Sequence, residues 1–256
     1  MKISVITVTY NSAKTIRDTI ESVIKQNHPD VEFLIIDGAS KDDTIKIAES
    51  YGDKITKIIS EPDNGIFDAM NKGIRNATGD VIAILNSDDF YTDENVLSEV
   101  AKKFTQEPEL GCVYGDLYYV DQDDTSKIKR VWKSKPYKKG LFKTGWMPAH
   151  PTFFVRKEIY EQHGAFYDDR TLWVAADYEI MLRFIVKHET PVGYIPKFLV
   201  KMRDGGNSNK SLKNIIAGNK EVLKAWKLNG LPVPYWIFIT KPLSKIFQLL
   251  KAKKTN

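Results

Sequence analysis

Between Ile3 and Leu85, apolar runs alternate with segments whose apolar residues recur at helical spacing. The pattern predicts strands over Ile3–Thr9, Val31–Asp37, Ile55–Ser60 and Val81–Leu85. The last of these, Val81-Ile82-Ala83-Ile84-Leu85, is apolar throughout, as in a strand covered on both faces. Between the runs, Ile16, Ile20, Val23 and Ile24 mark one face of a helix, with Asn11 or Ser12 as its expected cap. Asp42-Asp43-Thr44 opens a short helix expected to reach Tyr51, and Ile66, Met70 and Ile74 stripe another that Gly79 ends. Strand–helix alternation of this kind predicts a doubly wound, mostly parallel α/β sheet with right-handed crossovers. A chain of 256 residues can bury one such domain, or one domain with an appendage.

The pattern changes after about residue 110. Cys112–Val120 and Ile128–Trp132 read as longer strands joined by the turn Asp121-Gln122-Asp123-Asp124. Residues 133–150, rich in Lys, Pro and Gly, read as a loop, and Pro151–Val155 as a strand. Ala176–His188 reads as a helix with Ile180, Phe184 and Ile185 inward. Leu212, Ile215, Ile216, Leu223 and Trp226 stripe a further helix that Gly230 closes. Cys112 is the only cysteine, which excludes an intrachain disulfide and suits a reducing compartment. The first residues run straight into a strand pattern without a secretory signal, so the expected location is the cytoplasm.

Ligands in open α/β sheets bind beyond the carboxyl ends of the strands, so the residues there are the ones to examine. The four ends read Thr9-Tyr10-Asn11, Asp37-Gly38-Ala39-Ser40, Glu61-Pro62-Asp63-Asn64-Gly65 and Asn86-Ser87-Asp88-Asp89. Each alone is compatible with ordinary turn chemistry: Asp37 with capping the Gly38 turn, the acidic tetrad with capping the next helix. Together they point to a nucleotide pocket. Adjacent carboxylates at Asp88 and Asp89 offer the hard oxygens that Mg²⁺ or Mn²⁺ prefers. There is no glycine-rich phosphate loop, so such a cation would have to carry the charge of a diphosphate. Tyr10 is placed to stack on a base and Asp37 to accept a base N–H.

These residues also resemble a family. Val5–Asn11, Ile35–Thr44, Asp63–Gly73 and Asn86–Asp89, followed in order by His150-Pro151-Thr152-Phe153-Phe154, Ala175-Ala176-Asp177-Tyr178-Glu179 and Gly205-Gly206-Asn207-Ser208, are similar to the family 2 glycosyltransferases. The similarity is to the branch that builds bacterial exopolysaccharide, O-antigen and colanic-acid repeat units. It covers roughly residues 3–210. It implies a GT-A fold at 1–210, with a nucleotide-binding half (1–110) and an acceptor half (111–210), and leaves 211–256 as a helical extension. It further implies a nucleotide-sugar donor, a divalent metal (Mn²⁺ or Mg²⁺) and inversion at the anomeric carbon. Nucleotide contacts are implied for Thr9, Tyr10, Asn11, Asp37 and Asp88, with the metal on Asp88 and Asp89. Asn86 stands where the family's acidic motif often begins with Asp, so which of the two carboxylates is the direct ligand stays open. Asp177 resembles the family's catalytic base, a role that suits a carboxylate taking the proton of an attacking hydroxyl; an N-cap is its plainer role.

Asn64, Gly65, Asp68 and Lys72 belong to the candidate donor site, although Asp68 and Lys72 are also spaced as a simple i,i+4 ion pair. Trp146 and His150 are candidates for the acceptor side; both residue types also serve as plain structural groups. The net charge is +5, and the seven lysines after Glu221, with no acid among them, leave the preceding residues slightly acidic. A basic stripe over the folded body is missing, which excludes the usual nucleic-acid binder. Leu243, Ile246, Phe247 and Leu250 fall on one helical face flanked by lysines, the pattern either of a basic helix lying on an anionic membrane or of a helix packed on the domain. The expected partners are therefore a nucleotide-diphosphate sugar, a glycan or lipid-linked acceptor, and the inner face of the cell membrane. Two other functions fit an α/β nucleotide pocket: a sugar-phosphate nucleotidyltransferase, and a non-catalytic nucleotide-sugar-binding scaffold.

Overall fold

A computed structural model describes residues 1–167, 172–205 and 212–237, with side chains described from residue 218 onward in the last segment. The element order begins β1 (Ile3–Thr9), α1 (Ile16–Ile24), β2 (Val31–Asp37), α2 (Thr44–Glu49), β3 (Lys57–Ser60), α3 (Ile66–Asn76), β4 (Val81–Ile84). It continues with β5 (Phe90–Tyr91), α4 (Val96–Gln106), β6 (Cys112–Val120), β7 (Ile128–Trp132), β8 (Phe153–Arg156) and α5 (Lys157–His163). The chain then forms α6 (Ala176–Met181), a π-helical stretch (Leu182–Lys187), β9 (Val192–Arg203) and α7 (Leu212–Leu228).

The strands join in one sheet ordered β3-β2-β1-β4-β8-β6-β9-β5, with β7 paired to β6. The first four strands are parallel, with Thr9 beside Asp37 in register and Asp37 beside Ser60. Three polar strand ends thus meet at one edge. Beyond β4 the sheet is mixed: β8 runs antiparallel to both β4 and β6, while β6 and β9 are parallel. The expected α/β architecture is therefore borne out, as a mixed sheet whose first four strands are all parallel. Only β6 and β7 form a hairpin joined by a short turn; β8 reaches β4 and β6 through long connections.

Alternate residues of each strand face opposite sides. Ile6, Val8, Leu34 and Ile36 meet Met70 and Ile74 of α3, with Tyr160, Ile180 and Trp226 in the same cluster. Ile3, Val5, Phe33 and Ile35 meet Ile16, Ile20, Val100 and Phe104 on the other face. The helix of the C-terminal segment contributes to this body: Val222, Ala225 and Trp226 are fully buried in the first cluster.

Several boundaries differ from expectation for identifiable reasons. The first helix starts at Ile16 with Thr15 as its cap, because Ser12 receives the N–H groups of Thr15 and Ile16 in a preceding turn. Asp42 lies outside α2 and accepts the Thr44 N–H (3.0 Å). Strand β3 starts at Lys57, after a 3-10 turn at Gly52–Lys54. Helix α3 ends at Asn76; Gly79 instead lets the chain pass close over β1, since a Cβ there would lie 2.7 Å from the Ser4 nitrogen. Leu85 continues β4 by one bond to Ile6 O, and His150–Thr152 is a 3-10 turn that precedes β8. The loop 133–150 is pinned by Phe142, which is 1% exposed. The helix expected over Ala176–His188 widens to π geometry after Met181, with His188 N–H bonded to Arg183 O. The lysine-flanked face at 243–250 lies outside the described residues.

Candidate active site

Asn11 has left-handed backbone (φ 50°), which asparagine tolerates better than most residues. In that conformation its N–H reaches Ser40 Oγ (2.7 Å) and its side-chain oxygen accepts the Lys41 N–H (2.8 Å). Ser40 passes the constraint on: its hydroxyl and its N–H (2.9 Å) both bond the buried Asp37 carboxylate, and Ser60 adds a third bond (2.7 Å). A carboxylate has roughly four acceptor positions, so Asp37 keeps about one for a ligand. The Tyr10 ring beside it is 59% exposed, and the Thr9 hydroxyl is buried without a partner. At Gly38 a Cβ would lie 2.5 Å from Asp63 Oδ2, so only glycine lets the β3 end approach the β2 end this closely.

The β4 end is tied to the same edge by the Ser87 hydroxyl on Ser12 Oγ (2.8 Å). Its turn is held from several directions. Thr19 of α1 donates to Asp89 O (2.7 Å), Arg203 Nη1 donates to Asp88 O (2.7 Å), and the Asn86 amide donates to Asp89 Oδ2 (3.1 Å). Arg203 also bonds Asp18 and Gln122 O, so its guanidinium is committed to protein partners. The Asp88 side chain is exposed whereas Asp89 is buried. Burial raises both carboxyls above the ordinary aspartate value, and for Asp89 the neighbouring Asp88 charge pushes further in the same direction. Asp89 Oδ1 and Asn86 Oδ1 are buried acceptors with no hydrogen-bond partner. The orphaned Asp89 oxygen, with the adjacent Asp88 carboxylate and the Asn86 amide oxygen, suits a divalent ion, which would take its other ligands from phosphate and water. Among the described residues no set of three His, Cys, Asp or Glu side chains forms a complete cation cage.

Asp177 occupies the first turn of α6, one residue inside the cap Ala175–Ala176 boundary, and is half-buried. Glu221 of α7 fixes that turn by accepting the N–H groups of Val174 (2.6 Å) and Ala175 (2.9 Å). The next residue, Tyr178, accepts Trp226 Nε1–H (2.9 Å) and donates to Phe142 O (3.0 Å). His150 lies within electrostatic reach of Asp177: burial lowers its imidazole below the ordinary value, while the Asp177 charge acts in the opposite sense.

Tyr119 joins these parts. Burial pushes its hydroxyl up to about 12; Arg130 opposes the shift, and Asp89, Asp177 and Asp204 reinforce it. The acidic turn and Asp177 therefore act on one group, although 88 residues of sequence separate Asp89 from Asp177. The loop after β3 borders a shallow recess lined by Asn64, Gly65, Asp68 and Trp173 among others. Asp68 accepts the Asn64 N–H (3.0 Å), and Lys72 bonds Pro62 O (2.8 Å) and Glu61 (3.1 Å), so this pair braces the loop. Trp146 is half-buried among Tyr114, Tyr137 and Phe142, whereas Trp173 is 54% exposed. Arg203, Tyr119, Arg130 and Glu221 escaped the sequence reading; each acts through partners remote in sequence, and no local pattern marks them.

Comparison with known proteins places this arrangement. The model of Glycosyl transferase family 2 matches residues 4–164. A Bacillus subtilis protein carrying the name glycosyltransferase EpsE is 28% identical over 96% of this chain and 89% of its own length. In fold, the chain is similar to S. aureus TarS 1-349 in complex with UDP-GlcNAc (TM-score 0.66, 20% identity), covering 90% of this chain and 65% of that one. It spans 39% of a longer TarS chain. It is also similar to the mannosyltransferase PcManGT from Pyrobaculum calidifontis in complex with GDP-Man and Mn²⁺ (TM-score 0.65, 17% identity), over 99% of this chain and 73% of that one.

The raised Asp89 carboxyl sets a test. A carboxyl whose folded value exceeds its unfolded value binds its proton more tightly when folded, so it lowers stability as pH rises past the ordinary aspartate range. Asp89→Asn should therefore melt above wild type at neutral pH in a chelating buffer, with the gain vanishing at about pH 3. A lower melting temperature at neutral pH would contradict the assigned burial.

Proposed function

The chain belongs to glycosyl transferase family 2, and on that premise we propose that it is an inverting enzyme transferring a sugar from a nucleotide-diphosphate donor to a growing glycan of a bacterial cell-surface polysaccharide. The observation that carries this reading is the meeting of the β1, β2 and β3 ends with the Asp88–Asp89 turn at one sheet edge, where the Ser87 hydroxyl bonds Ser12. It supports a donor pocket at that edge, with Asp177 proposed at its acceptor side. In this reading, residues 1–110 form the nucleotide half and 111–210 the acceptor half; 211–256 is an extension whose helix α7 holds the start of α6 through Glu221.

Tyr10 stacks on the base, and Asp37 offers its remaining acceptor position to a base N–H. Thr9 and Asn11 shape the wall beside it, and Asn64, Gly65, Asp68 and Lys72 form the donor-side loop. Asp88 and Asp89 would hold a divalent cation, which when bound supplies neutralisation of the charge that builds on the departing diphosphate. Asp177 takes the proton of the acceptor hydroxyl as its oxygen bonds the anomeric carbon from the face opposite the diphosphate. The bond from that carbon to the diphosphate oxygen breaks, its electron pair leaves with the nucleoside diphosphate, and configuration inverts. His150 and Trp146 lie toward the acceptor side. TarS 1-349 and PcManGT have structures in complex with UDP-GlcNAc and GDP-Man, both members of the donor class proposed here.

We further assign a lipid-linked acceptor, met at the cytoplasmic face of the membrane. No helix among the described residues is long and apolar enough to cross a bilayer. The seven lysines after Glu221 and the exposed Tyr235 and Trp236 support attachment at an anionic surface instead. Cosedimentation with phosphatidylglycerol vesicles, falling steeply with salt, is the expected behaviour; equal binding to neutral vesicles would remove the charge-based attachment.

A panel of UDP-, GDP- and dTDP-sugars with and without Mn²⁺ identifies the donor. In the active combination, Asp177→Asn should keep nucleoside-diphosphate binding and lose transfer by roughly 10²- to 10⁴-fold, the usual worth of a general base. Transfer at the wild-type rate would take Asp177 out of that role.

A further inference from the structure

Trp173 stands four residues before Asp177 and is 54% exposed, yet the chain around it is firmly held. Leu172 before it is fully buried, and the N–H groups of Val174 and Ala175 after it bond Glu221 of α7. The far edge of its indole abuts Gly65, where a Cβ would lie 3.2 Å from Cζ3 and 3.3 Å from Cη2. Gly65 has φ 120°, backbone that only glycine adopts readily. The ring is thus fixed at both ends, by its own backbone and by the loop after β3. That contact takes its edge and leaves its faces, on which no other aromatic ring stacks among the described residues.

Other tryptophans are matched to partners. Trp146 has Tyr114, Tyr137 and Phe142 around it, Trp132 stacks on Tyr119, and the buried Trp226 donates to Tyr178. A large ring left in water forgoes the stabilisation that burial would give it.

The recess between Trp173 and the loop is rimmed by polar groups with capacity to spare. It is lined also by Asn64, Asp68 and Tyr167. The Asn64 side-chain amide and the Tyr167 hydroxyl have no hydrogen-bond partner among the described residues. Asp68 spends one carboxylate oxygen on the Asn64 N–H (3.0 Å) and keeps the other. Tyr167 is held in place: Phe166 exchanges two hydrogen bonds with the buried Asn71 (2.8 and 3.0 Å), and the Arg183 guanidinium lies 4.9 Å from the Tyr167 ring centre. An aromatic face with an amide, a carboxylate and a phenol at its border matches a pyranose ring. Such a ring has flat C–H faces to stack and a perimeter of hydroxyls that both donate and accept.

The recess is open and shallow. A donor sugar must be shielded from water to escape hydrolysis, whereas an acceptor glycan has to enter from solvent. Four residues of chain span at most about 14 Å, so whatever stacks on Trp173 stays near Asp177. We propose that Trp173 is the stacking platform of an acceptor subsite, which takes one pyranose ring of the glycan with Asn64, Asp68 and Tyr167 on its hydroxyls. The loop after β3 then serves both substrates. Its Asp63 end packs against Gly38 on the nucleotide side, and its Gly65 end meets Trp173 on the acceptor side. Trp173 binds and orients, and no covalent step is assigned to it. The proposal rests on the glycosyltransferase reading above.

Fluorine NMR of the full chain labelled with 5-fluorotryptophan tests it, in Mn²⁺ with UDP or GDP. Loss of one signal in Trp173→Phe identifies the resonance, and thermal melting checks that the variants are folded. The probes are the methyl pyranosides of glucose, galactose, mannose and N-acetylglucosamine, with acyclic sorbitol as the control. At least one pyranoside should shift the Trp173 signal saturably, and sorbitol should not. Trp173→Ala should weaken that pyranoside about tenfold or more and nucleoside-diphosphate binding less than about threefold, with Trp173→Phe between Ala and wild type. No shift from any of the four at about 100 mM, or unchanged pyranoside affinity in folded Trp173→Ala, would overturn the proposal. Equal losses of pyranoside and nucleotide would overturn the acceptor assignment. A chain that binds a pyranoside at Trp173 but releases nucleoside diphosphate from no sugar nucleotide would keep the subsite and overturn the reading it rests on.

Discussion

Two neighbouring carboxylates at the end of β4, one exposed and one buried, are the constraint around which the rest is arranged. Like charges side by side in a partly dry site disfavour ionisation of both, and burial raises each carboxyl here. Left alone, this turn would relax toward solvent. It is held by Thr19 from α1, Asn86 from within, and Arg203 from the far end of β9, which binds the Asp88 carbonyl and leaves the carboxylate itself unencumbered. The proposed divalent ion would relieve that electrostatic cost.

The same logic connects the two halves of the sheet. Parallel strands β1 to β4 deliver polar ends to one edge, and the mixed strands carry Arg203 to that edge from the other side. Helix α7, far along the chain, reaches back through Glu221, Trp226 and Asn229 to hold Val174, Tyr178 and Glu179 around Asp177. Asp177, the proposed base, is thus positioned by the segment that leads into the lysine-rich tail.

Much of the fold was legible because local signals and tertiary structure agree. β1, β2, β6 and β7 span the residues their apolar runs mark, each bounded by turn-forming residues. Legibility failed where side chains that suit local caps are recruited elsewhere. Asn11 serves Lys41 and so does not cap the helix after it, whereas Asp42 both opens α2 by accepting the Thr44 N–H and reaches back to Ala13. Candidate acids at strand ends were visible as types, and the family resemblance singled out Asp177. Arg203 and Glu221 were not visible, since their partners lie 115 and 47 residues away, and only the folded chain brings them together.

The most direct measurement is a crystal structure of the chain with Mn²⁺ and its nucleotide-sugar donor. The nucleobase is expected beside Tyr10 and Asp37, the diphosphate at the Asp88–Asp89 turn, and the anomeric carbon facing Asp177. A nucleotide bound away from the carboxyl edge of β1 to β4, or Asp177 screened from the sugar by intervening protein, would contradict the donor pocket and acceptor side on which the whole account stands.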